Sequence, residues 1–468
     1  MPRVMLIKPF SYSDVISPPL GLGYLAAALD GTVQVAIVDG VRERLNSTGL
    51  VKRIKAFQPD LVGLSIVSAA AAKVLDDIVA IRRALPGVVI VAGGPHPSLL
   101  PAEFYDAAAG AVDYILRGDA EFSFRELVDR CWNRRVHEVF SREIADIPGI
   151  WARTRDGMVT SEIPVDRECD NRGMPAWRLI PPGGYPRAPQ GVFFREFPVA
   201  PVITSRGCPF ECGFCSVAAL KGKDLRFRSP ELITAEIRLL QERFGVREIQ
   251  FIDDNFTMSR QHVLSVCEAM LAENLALPWT CPNGVRIDAL DDDILEAMKA
   301  AGCYSVSVGL ETADPSLLAR MNKHLDLDRA VEAIDRVVRK KMEVNAFFVL
   351  GYPGDSRKSI EATIRLAGRL PLTRAHFMLF TPFPGCREYD RLTGPAGETA
   401  GSSFRYDTTY AEVSCVPEGM TARELKRLHR RAFLKFYGRP AAAWRLLPAL
   451  NSPSGLYYFL RRAAHWLG

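Results

Sequence analysis

The sequence of 468 residues contains no long apolar run and no strong excess of either charge. Because no stretch of about 20 uncharged apolar residues occurs, no membrane-spanning helix is predicted. The formal net charge of +5 argues against a dedicated nucleic-acid-binding protein. The ten cysteines have irregular spacings, and residues 1–7 predict a strand rather than a targeting segment. These features predict a protein of the reducing cytoplasm without a disulfide framework.

Apolar residues make up 48% of the chain, and its length predicts two or three domains. In residues 1–140, short apolar runs alternate with helical patterns. The predicted strands are 4–7, 33–38, 61–67, 88–92 and 114–116, and the predicted helices are 20–29, 47–57, 69–84 and 121–135. This alternation predicts an α/β domain with right-handed crossovers and a doubly wound parallel sheet.

Ligands of such sheets bind beyond the carboxyl ends of the strands, so the residues there are informative. Ser65 and Val67 end the third predicted strand, and Gly93 and Gly94 follow the fourth, with His96 in the same loop. Glycines without a Cβ let a large ligand approach the backbone. No G-x-G-x-x-G follows the first strand, which argues against a dinucleotide site.

Residues 141–196 are rich in proline, arginine and glycine, which predicts a linker with turns rather than a core. Residues 197–390 alternate again, now at barrel spacing. The predicted strands are 201–205, 248–252, 279–283, 304–310, 344–350 and 375–380, and the predicted helices are 230–244, 260–273, 291–301, 315–321, 327–340 and 357–369. Six such units predict a partial (β/α)6 barrel, in which functional groups gather at the carboxyl ends of the strands.

A cysteine motif follows the first barrel strand. Cys208, Cys212 and Cys215 have C-x3-C-x2-C spacing in a loop that can aim three thiolates at one point. Three thiolates fit an iron–sulfur cluster with one iron free of protein ligands. A structural zinc site needs a fourth ligand, and the next histidine or cysteine is His262 in a predicted helix. Three unrelated cysteines are the remaining alternative.

The cysteine loop resembles that of the radical S-adenosylmethionine (SAM) superfamily. The resemblance implies a [4Fe–4S] cluster on Cys208, Cys212 and Cys215, with SAM on the open iron. It also implies that Phe214 lies against the adenine side of SAM.

The polar ends of the barrel strands extend this resemblance. It implies that Asp253 and Asp254 contact the SAM amino group, that Glu311 contacts the ribose or methionine moiety, and that Gly351 lies near adenine. Arg286 pairs with the SAM carboxylate or with Asp253. Structural alternatives are an Asx turn or helix cap for the two aspartates and a helix N-terminal carboxylate for Glu311.

The first domain is similar to the cobalamin-binding domain of B12 proteins. The resemblance implies that Ser65, Val67, Gly93 and Gly94 line a channel for the nucleotide tail. The family's D-x-H-x-x-G element is missing after the first strand, so its cobalt-ligating histidine has no counterpart there. His96 is expected to hydrogen-bond the tail or the loop rather than cobalt. A degenerate domain used only for packing is the alternative.

Together the two resemblances imply a cobalamin-dependent radical SAM enzyme, with a C-methyltransferase as the leading hypothesis. Such an enzyme generates a 5′-deoxyadenosyl radical and transfers a methyl group from methylcobalamin to an unactivated carbon. It also needs an external one-electron reductant of the flavodoxin or ferredoxin type. The alternatives are a non-methylating enzyme, such as an anaerobic cyclase or ring-rearranging enzyme, and a non-catalytic iron–sulfur or cobalamin sensor.

Two related families fit the cysteines poorly. A methylthiotransferase carries a second cluster on N-terminal cysteines, but no cysteine precedes Cys131. Auxiliary-cluster proteins have a cysteine-rich C-terminus, where this chain has only Cys386 and Cys415.

Residues 391–468 predict a small, basic, helical region, with a helix at 421–437 and aromatic residues with arginine at 444–447 and 456–462. This composition suits contact with a membrane surface, which would favour a lipid-like or natural-product substrate. It equally suits helices packed on the barrel.

Overall fold

The computed structural model describes residues 1–11, 16–29, 31, 33–133, 141–154, 157–163, 168–187, 194–394, 411–440, 442, 456–457 and 460. The chain forms two compact units, residues 1–184 with 219–222 and residues 185–218 with 223–468.

The first unit contains a seven-stranded sheet with the order β2-β1-β3-β4-β5-β6-β7. Its strands are β1 (Arg3–Lys8), β2 (Gln34–Asp39), β3 (Leu61–Ser65), β4 (Val89–Gly93), β5 (Tyr114–Leu116), β6 (Ile150–Thr154) and β7 (Gly157–Thr160). Its helices are α1 (Leu20–Ala28), α2 (Gly40–Glu43), α3 (Ser47–Phe57), α4 (Ala71–Ala84), α5 (Pro95–Leu99), α6 (Pro101–Ala107), α7 (Glu121–Asn133) and α8 (Ser141–Ile144). Strands β1 to β5 are parallel.

Two apolar layers cover the two faces of this sheet. Residues of α3, α4 and α6, such as Ile54, Ile78 and Phe104, belong to one buried cluster, and residues of α1 and α7, such as Leu22 and Leu127, belong to the other. Parallel strands buried on both faces read as continuous apolar runs, which is why the sequence predicted them. The doubly wound α/β prediction is confirmed.

Part of the predicted linker belongs to this sheet. Strands β6 and β7 form an antiparallel hairpin whose first strand pairs with β5, Ile115 opposite Trp151. The expectation of turns without a core is therefore wrong for residues 150–160. The hairpin residues Ile150, Trp151 and Ala152 are buried, and glycine and proline in the flanking residues hid this strand signal.

The second unit contains a parallel six-stranded sheet in chain order, β15-β14-β13-β12-β11-β8, and a two-stranded β9–β10 ribbon. Its strands are β8 (Val199–Val202), β9 (Ser205–Arg206), β10 (Arg226–Phe227), β11 (Glu248–Phe251), β12 (Trp279–Val285), β13 (Cys303–Glu311), β14 (Glu343–Leu350) and β15 (Arg374–Leu379). The remaining helices are α9 (Val217–Lys221), α10 (Pro230–Phe244), α11 (Arg260–Ala272), α12 (Asp292–Ala300), α13 (Pro315–Arg320), α14 (Leu327–Arg339), α15 (Arg357–Arg369), α16 (Arg387–Thr393) and α17 (Ala422–Tyr437).

The order of strands in this sheet confirms the predicted partial barrel, since β8 and β15 form its two edges.

Side-chain caps explain why the helix starts could be predicted. Ser229, Asp291 and Ser356 accept hydrogen bonds from backbone N–H groups in the first turns of α10, α12 and α15.

Helix α17 packs against β15 and α15 and confirms the helix predicted at 421–437. The predicted aromatic and arginine segment at 444–447 lies outside the described residues, as does most of 456–462. No helix that the structure describes is both long and apolar enough to cross a bilayer.

Buried Glu248 on β11 makes the stability of the second unit depend on pH. It accepts hydrogen bonds from the Tyr304 hydroxyl at 2.7 Å and from the N–H groups of Arg195 and Glu196 at 2.6 and 2.8 Å. Burial raises the pKa of Glu248 from its ordinary value of 4.5 to about 7. Between about pH 4.5 and about pH 7, the folded protein therefore keeps a proton on Glu248 that the unfolded chain has already released.

We expect the free energy of unfolding to fall as the pH rises through this interval. Glu248→Gln, which cannot titrate, should show a smaller fall between about pH 5 and about pH 8 in urea unfolding. Equal pH dependence in both proteins would contradict this role of Glu248.

Candidate functional site

The three predicted cluster cysteines lie in the loop between β9 and α9. The Cys215 N–H donates to the Cys212 carbonyl at 2.9 Å, and all three side chains are partly buried and free of disulfides. Burial is the main cause that raises the pKa of each thiol, to about 11 for Cys215, and neighbouring cysteines add to the rise for Cys212 and Cys215. Without a metal these thiols stay protonated, so binding iron would release protons.

The described residues contain no group of three or more His, Cys, Asp or Glu side chains with the geometry for a metal ion. A cluster makes a different demand, because each thiolate binds its own iron and the sulfurs need not converge on one atom. Three free thiols on one short loop fit a [4Fe–4S] cluster with an open iron. They do not fit a four-ligand zinc site.

Backbone hydrogen bonds at Gly213 hold the cysteine loop in place. Its N–H donates to the Met321 carbonyl at 2.7 Å, and its own carbonyl accepts from the Glu388 N–H at 3.1 Å. A Cβ at this position would lie 2.5 Å from the Tyr352 hydroxyl, so only glycine fits. The Asn322 side chain adds a bond to the Glu211 carbonyl at 3.0 Å. The loop is therefore fixed before any cofactor binds.

Arg286 contacts the part of the loop between Cys208 and Cys212. Its guanidinium lies 4.2 Å from the centroid of the Phe210 ring and forms a bidentate pair with Asp288 at 2.7 and 2.9 Å. It also donates to the carbonyls of Lys323 and His324. The expected alternative pairing with Asp253 is wrong, because Asp288 occupies that role.

Asp253 also supports the loop. Its carboxylate accepts from the Thr204 N–H at 2.7 Å, the Thr204 hydroxyl at 2.5 Å and the Ser205 hydroxyl at 2.7 Å. Burial raises the pKa of Asp253, which is only 2% exposed. Asp253 therefore fixes Thr204 and Ser205, which precede the cysteines. These bonds are not the Asx turn or helix cap that was its structural alternative.

Asp254 is the partly exposed member of the predicted pair. Its charge raises the pKa of Cys208 and Cys215, which places it beside the cluster loop. His262, which sequence reasoning did not select, lies behind the loop with Nε2 3.0 Å from the Thr204 hydroxyl.

Glu311 ends β13 in a strained conformation. Its φ of 61° lies in the left-handed region, beside a β-bulge, and its side chain is buried. Such outliers cost about 1–3 kcal/mol and cluster at functional sites. The alternative role as a helix N-terminal carboxylate is wrong, because Asp314 caps α13.

Lys323, missed by sequence reasoning, is the partner of Glu311, with Nζ 2.7 Å from Oε1. A Cβ on Gly309 would lie 2.8 Å from this Nζ, so the glycine makes room for the pair. The same ammonium lies 5.7 Å from the centroid of the Phe214 ring. Burial lowers the pKa of Lys323, but the nearby Glu311 and Cys212 outweigh it and the pKa is raised. The ammonium therefore stays charged.

Phe214 packs on a small apolar cluster that includes Leu317, Met321 and Tyr352. Gly351 has a φ of 81° and follows β14, where its N–H donates to Asp355 Oδ2 at 2.9 Å. A Cβ on Gly351 would lie 2.7 Å from Leu425 Cδ2 of α17. A helix side chain thus covers the side of Gly351 on which a Cβ would stand.

In the first unit, the predicted residues gather at the ends of β3 and β4. The Ile66 N–H donates to the Gly93 carbonyl at 2.8 Å, and a Cβ on Gly94 would lie 2.6 Å from the Ile66 nitrogen and 3.1 Å from Ser65 Oγ. Strand β3 ends at Ser65, two residues earlier than predicted, and Val67 beyond it is 44% exposed. A glycine loop packed closely on Ile66, beside the exposed apolar side chain of Val67, fits a strand end that a large ligand such as cobalamin can approach.

His96 begins a short helix after this loop, with Nδ1 3.2 Å from the Ser68 hydroxyl and its ring edge-on to Phe104. Burial lowers its pKa to about 4, so the ring is neutral near pH 7. Its contact with Ser68 agrees with the expected hydrogen bonding in the loop.

Gly94→Ala tests whether this loop binds cobalamin. We expect cobalamin affinity to fall by about tenfold or more, because the new Cβ pushes the loop away from Ser65 and Ile66. Gly110→Ala is a matched control, since Gly110 also has a positive φ, 73°, but no atom of the described residues lies within 4 Å of its Cβ position. Equilibrium dialysis of both folded variants would measure the effect. Equal losses in both would contradict the assignment.

Comparisons with known proteins agree with both halves of the chain. Residues 202–367 match the family model of the radical SAM superfamily, and residues 12–128 match that of the B12 binding domain. An uncharacterized methyltransferase of Pyrococcus horikoshii is 30% identical over 446 residues, which are 94% of this chain and 93% of the relative. An anaerobic magnesium-protoporphyrin IX monomethyl ester cyclase of Cereibacter sphaeroides is 24% identical over 445 residues, which are 92% of this chain and 70% of the cyclase.

The fold has a counterpart among solved structures. The radical SAM methyltransferase TsrM from Kitasatospora setae, with cobalamin and a [4Fe–4S] cluster bound, superposes with a TM-score of 0.72. The match covers 100% of this chain and 99% of TsrM at 18% identity. At that identity the likeness shows the shared fold.

Proposed function

This chain belongs to the cobalamin-dependent radical SAM enzymes, and we propose that it is a C-methyltransferase acting on an unactivated carbon of a small molecule. The observation that carries the proposal is the geometry beside the cysteine loop. The Lys323 ammonium lies 2.7 Å from Glu311 Oε1 and 5.7 Å from the centroid of the Phe214 ring, and Phe214 directly precedes Cys215. A cluster site and the groups that can hold SAM thus occur together.

We assign the cluster to Cys208, Cys212 and Cys215, and cobalamin to the loops at Ser65, Val67, Gly93, Gly94 and His96. When bound, the cluster supplies the electron that cleaves SAM to methionine and a 5′-deoxyadenosyl radical, and cobalamin carries the methyl group to be transferred. The protein orients these groups and excludes water.

Glu311, Asp254 and Lys323 are the residues that we assign to SAM. The Glu311 carboxylate is fixed by the strained strand end and by Lys323, so it can accept hydrogen bonds from a ribose hydroxyl or the methionine ammonium without reorganising. Asp254 offers a second, more exposed carboxylate for the ammonium. The Lys323 ammonium lies over the Phe214 ring, 5.7 Å from its centroid, and we assign the adenine of SAM to the neighbourhood of this ring.

Asp253, Arg286 and Gly351 take positioning roles in this proposal. Asp253 holds Thr204 and Ser205 at the start of the cysteine loop, and Arg286 contacts Phe210 between Cys208 and Cys212, so the loop keeps one geometry. A radical precursor needs such fixed geometry, because a displacement of about 1 Å costs about 100-fold in rate. Gly351 provides the tight turn under α17.

We further propose a low-potential one-electron carrier as reductant and a reducing cytoplasm as the compartment, because all ten cysteines are free. A small-molecule substrate of a lipid-like or natural-product class extends the proposal.

Cyclisation without methyl transfer is the second candidate, favoured by the similarity to the Cereibacter cyclase. The two differ in one product, because methyl transfer consumes a second SAM and releases S-adenosylhomocysteine. Protein reconstituted with iron, sulfide and cobalamin should first be tested for 5′-deoxyadenosine formation with dithionite. A protein that binds both cofactors but never cleaves SAM would support a sensor instead.

A further inference from the structure

Positive charge is concentrated on one side of the second unit. The exposed face of α17 carries Arg423, Lys426, Arg427, Arg430, Arg431 and Lys435, while the opposite face packs Leu425, Leu428 and Phe436 against the sheet. Over the whole chain, 59 basic residues nearly balance 54 acidic ones. This face is therefore a local feature and not the average of the surface.

Helix α15 continues the same surface. Its exposed residues include Arg357, Lys358, Arg365 and Arg369. Arg431 of α17 reaches Glu361 of α15 at 2.9 Å, and Arg357 of α15 reaches Glu424 of α17 at 3.6 Å, so the two exposed faces adjoin. We call this the α15–α17 face. The acidic residues of its two helices are Glu361 and Glu424.

Basic residues stand at the start of both helices. Arg357 and Lys358 stand in the first turn of α15, which has no acidic residue, and Arg423 stands beside Glu424 in the first turn of α17. Cations at helix N-termini oppose the macrodipole. Arg357 offsets this cost through its ion pairs with Glu361 and Glu424. Helix stability does not favour Lys358 and Arg423 at these positions, whereas recognition of an acidic partner does.

Two side chains connect the buried side of α17 to the cysteine loop. Leu425, between basic residues of α17, covers Gly351, and the next residue, Tyr352, places its hydroxyl against Gly213 between Cys212 and Phe214. Tyr352 is fully buried and donates to Glu388 at 2.9 Å. A continuous chain of packed side chains therefore connects α17 to the cysteine loop.

We propose that the α15–α17 face docks an acidic one-electron carrier protein of the flavodoxin or ferredoxin class, which reduces the cluster held by the three cysteines. This inference rests on the proposed function, because only a reducible cluster needs such a carrier. The carrier loses one electron and the cluster site gains it, and no atom or proton is exchanged at the surface. Complementary charge steers the two proteins together and sets their orientation.

A bilayer fits this face less well. An interfacial helix buries an apolar face among lipid head groups, but the apolar face of α17 already packs on β15 and α15. Within α17, all of which the structure describes, Leu434 is the one large apolar side chain that is exposed. A basic face with so little exposed apolar surface favours a folded acidic protein over a bilayer.

The test reverses three charges nearest Leu425, with Arg423→Glu, Lys426→Glu and Arg427→Glu combined. The control combines Lys52→Glu, Lys55→Glu and Arg83→Glu, three exposed residues of α3 and α4 that change the net charge equally. The probe is a purified flavodoxin. Its affinity for the full-length protein is measured by calorimetry with and without the cluster, and its KM is measured in SAM cleavage.

We expect the α17 variant to bind flavodoxin about tenfold or more weakly and to show a matching rise in KM, while the control resembles the wild type. Rates with dithionite, which needs no docking, should be equal in all three proteins. Higher salt should weaken the wild-type complex most.

Equal flavodoxin affinity in the α17 variant and the wild type would overturn the proposal. Loss of binding only to phosphatidylglycerol vesicles, with unchanged flavodoxin kinetics, would assign the face to lipid instead. Failure of the wild type to cleave SAM with dithionite would reject the proposed function, while the binding data would still judge the docking surface.

Discussion

Cys212→Ala is expected to abolish SAM cleavage and to remove most of the bound iron. Cys212 is the middle ligand in the proposed set, and a cluster with two protein thiolates loses a third of its protein ligands. The substitution lies in a partly buried loop whose backbone is held at Gly213 by Met321 and Glu388, so the fold should persist. Iron should fall from about four per chain to near zero, with loss of the cluster absorption.

Cys131→Ala is the matched control, since it removes a partly buried thiol from α7 in the first unit. It should keep both the iron and the activity. Circular dichroism of each variant separates loss of the cluster from loss of the fold. An intact cluster spectrum in Cys212→Ala would contradict the assignment of the three ligands.

Glu311→Gln is expected to reduce the rate of SAM cleavage by about 100-fold or more and to weaken SAM binding. The amide keeps the shape of the side chain but loses the charge that would bind the methionine ammonium or order the ribose. It also leaves the Lys323 ammonium without its carboxylate, 5.7 Å from the Phe214 ring centroid. Both changes fall on the surface where SAM is proposed to lie.

The double variant Glu311→Gln, Lys323→Met distinguishes a SAM ligand from a structural ion pair. Removing both charges relieves the unpaired ammonium, so a purely structural pair would recover in the double variant. A SAM ligand would not recover, because the carboxylate is still missing. Calorimetry with SAM and the rate of 5′-deoxyadenosine formation measure the two effects, and wild-type affinity in the double variant would sink the proposed role.

The sequence predicted the parallel strands of both sheets because their signals are local. Helix α10 was predicted to the residue, since Ser229 caps its start, Pro230 occupies its first turn and Gly245 ends it with a φ of 64°. The predicted barrel strands differ from the observed ones by only a few residues. The alternation of strand and helix patterns alone predicted how the strand–helix pairs follow one another along the chain.

Side-chain direction and long-range partners could not be predicted from one sequence. The tandem aspartates look equivalent in sequence, but adjacent side chains point in different directions. Asp253 therefore reaches Thr204, whereas Asp254 is partly exposed. Lys323 meets Glu311 only through the bulge and the left-handed turn at the end of β13. The β6–β7 hairpin was missed because its strands are short and flanked by turn residues.

The most direct test of the central claim uses SAM with a deuterated methyl group and the loaded enzyme, reduced by dithionite, with small-molecule extracts as substrate. Mass spectrometry then quantifies 5′-deoxyadenosine, S-adenosylhomocysteine and any metabolite that gains the deuterated methyl group. The account predicts that all three form together and that none forms in Cys212→Ala. Formation of 5′-deoxyadenosine without S-adenosylhomocysteine, in the presence of a consumed substrate, would contradict methyl transfer.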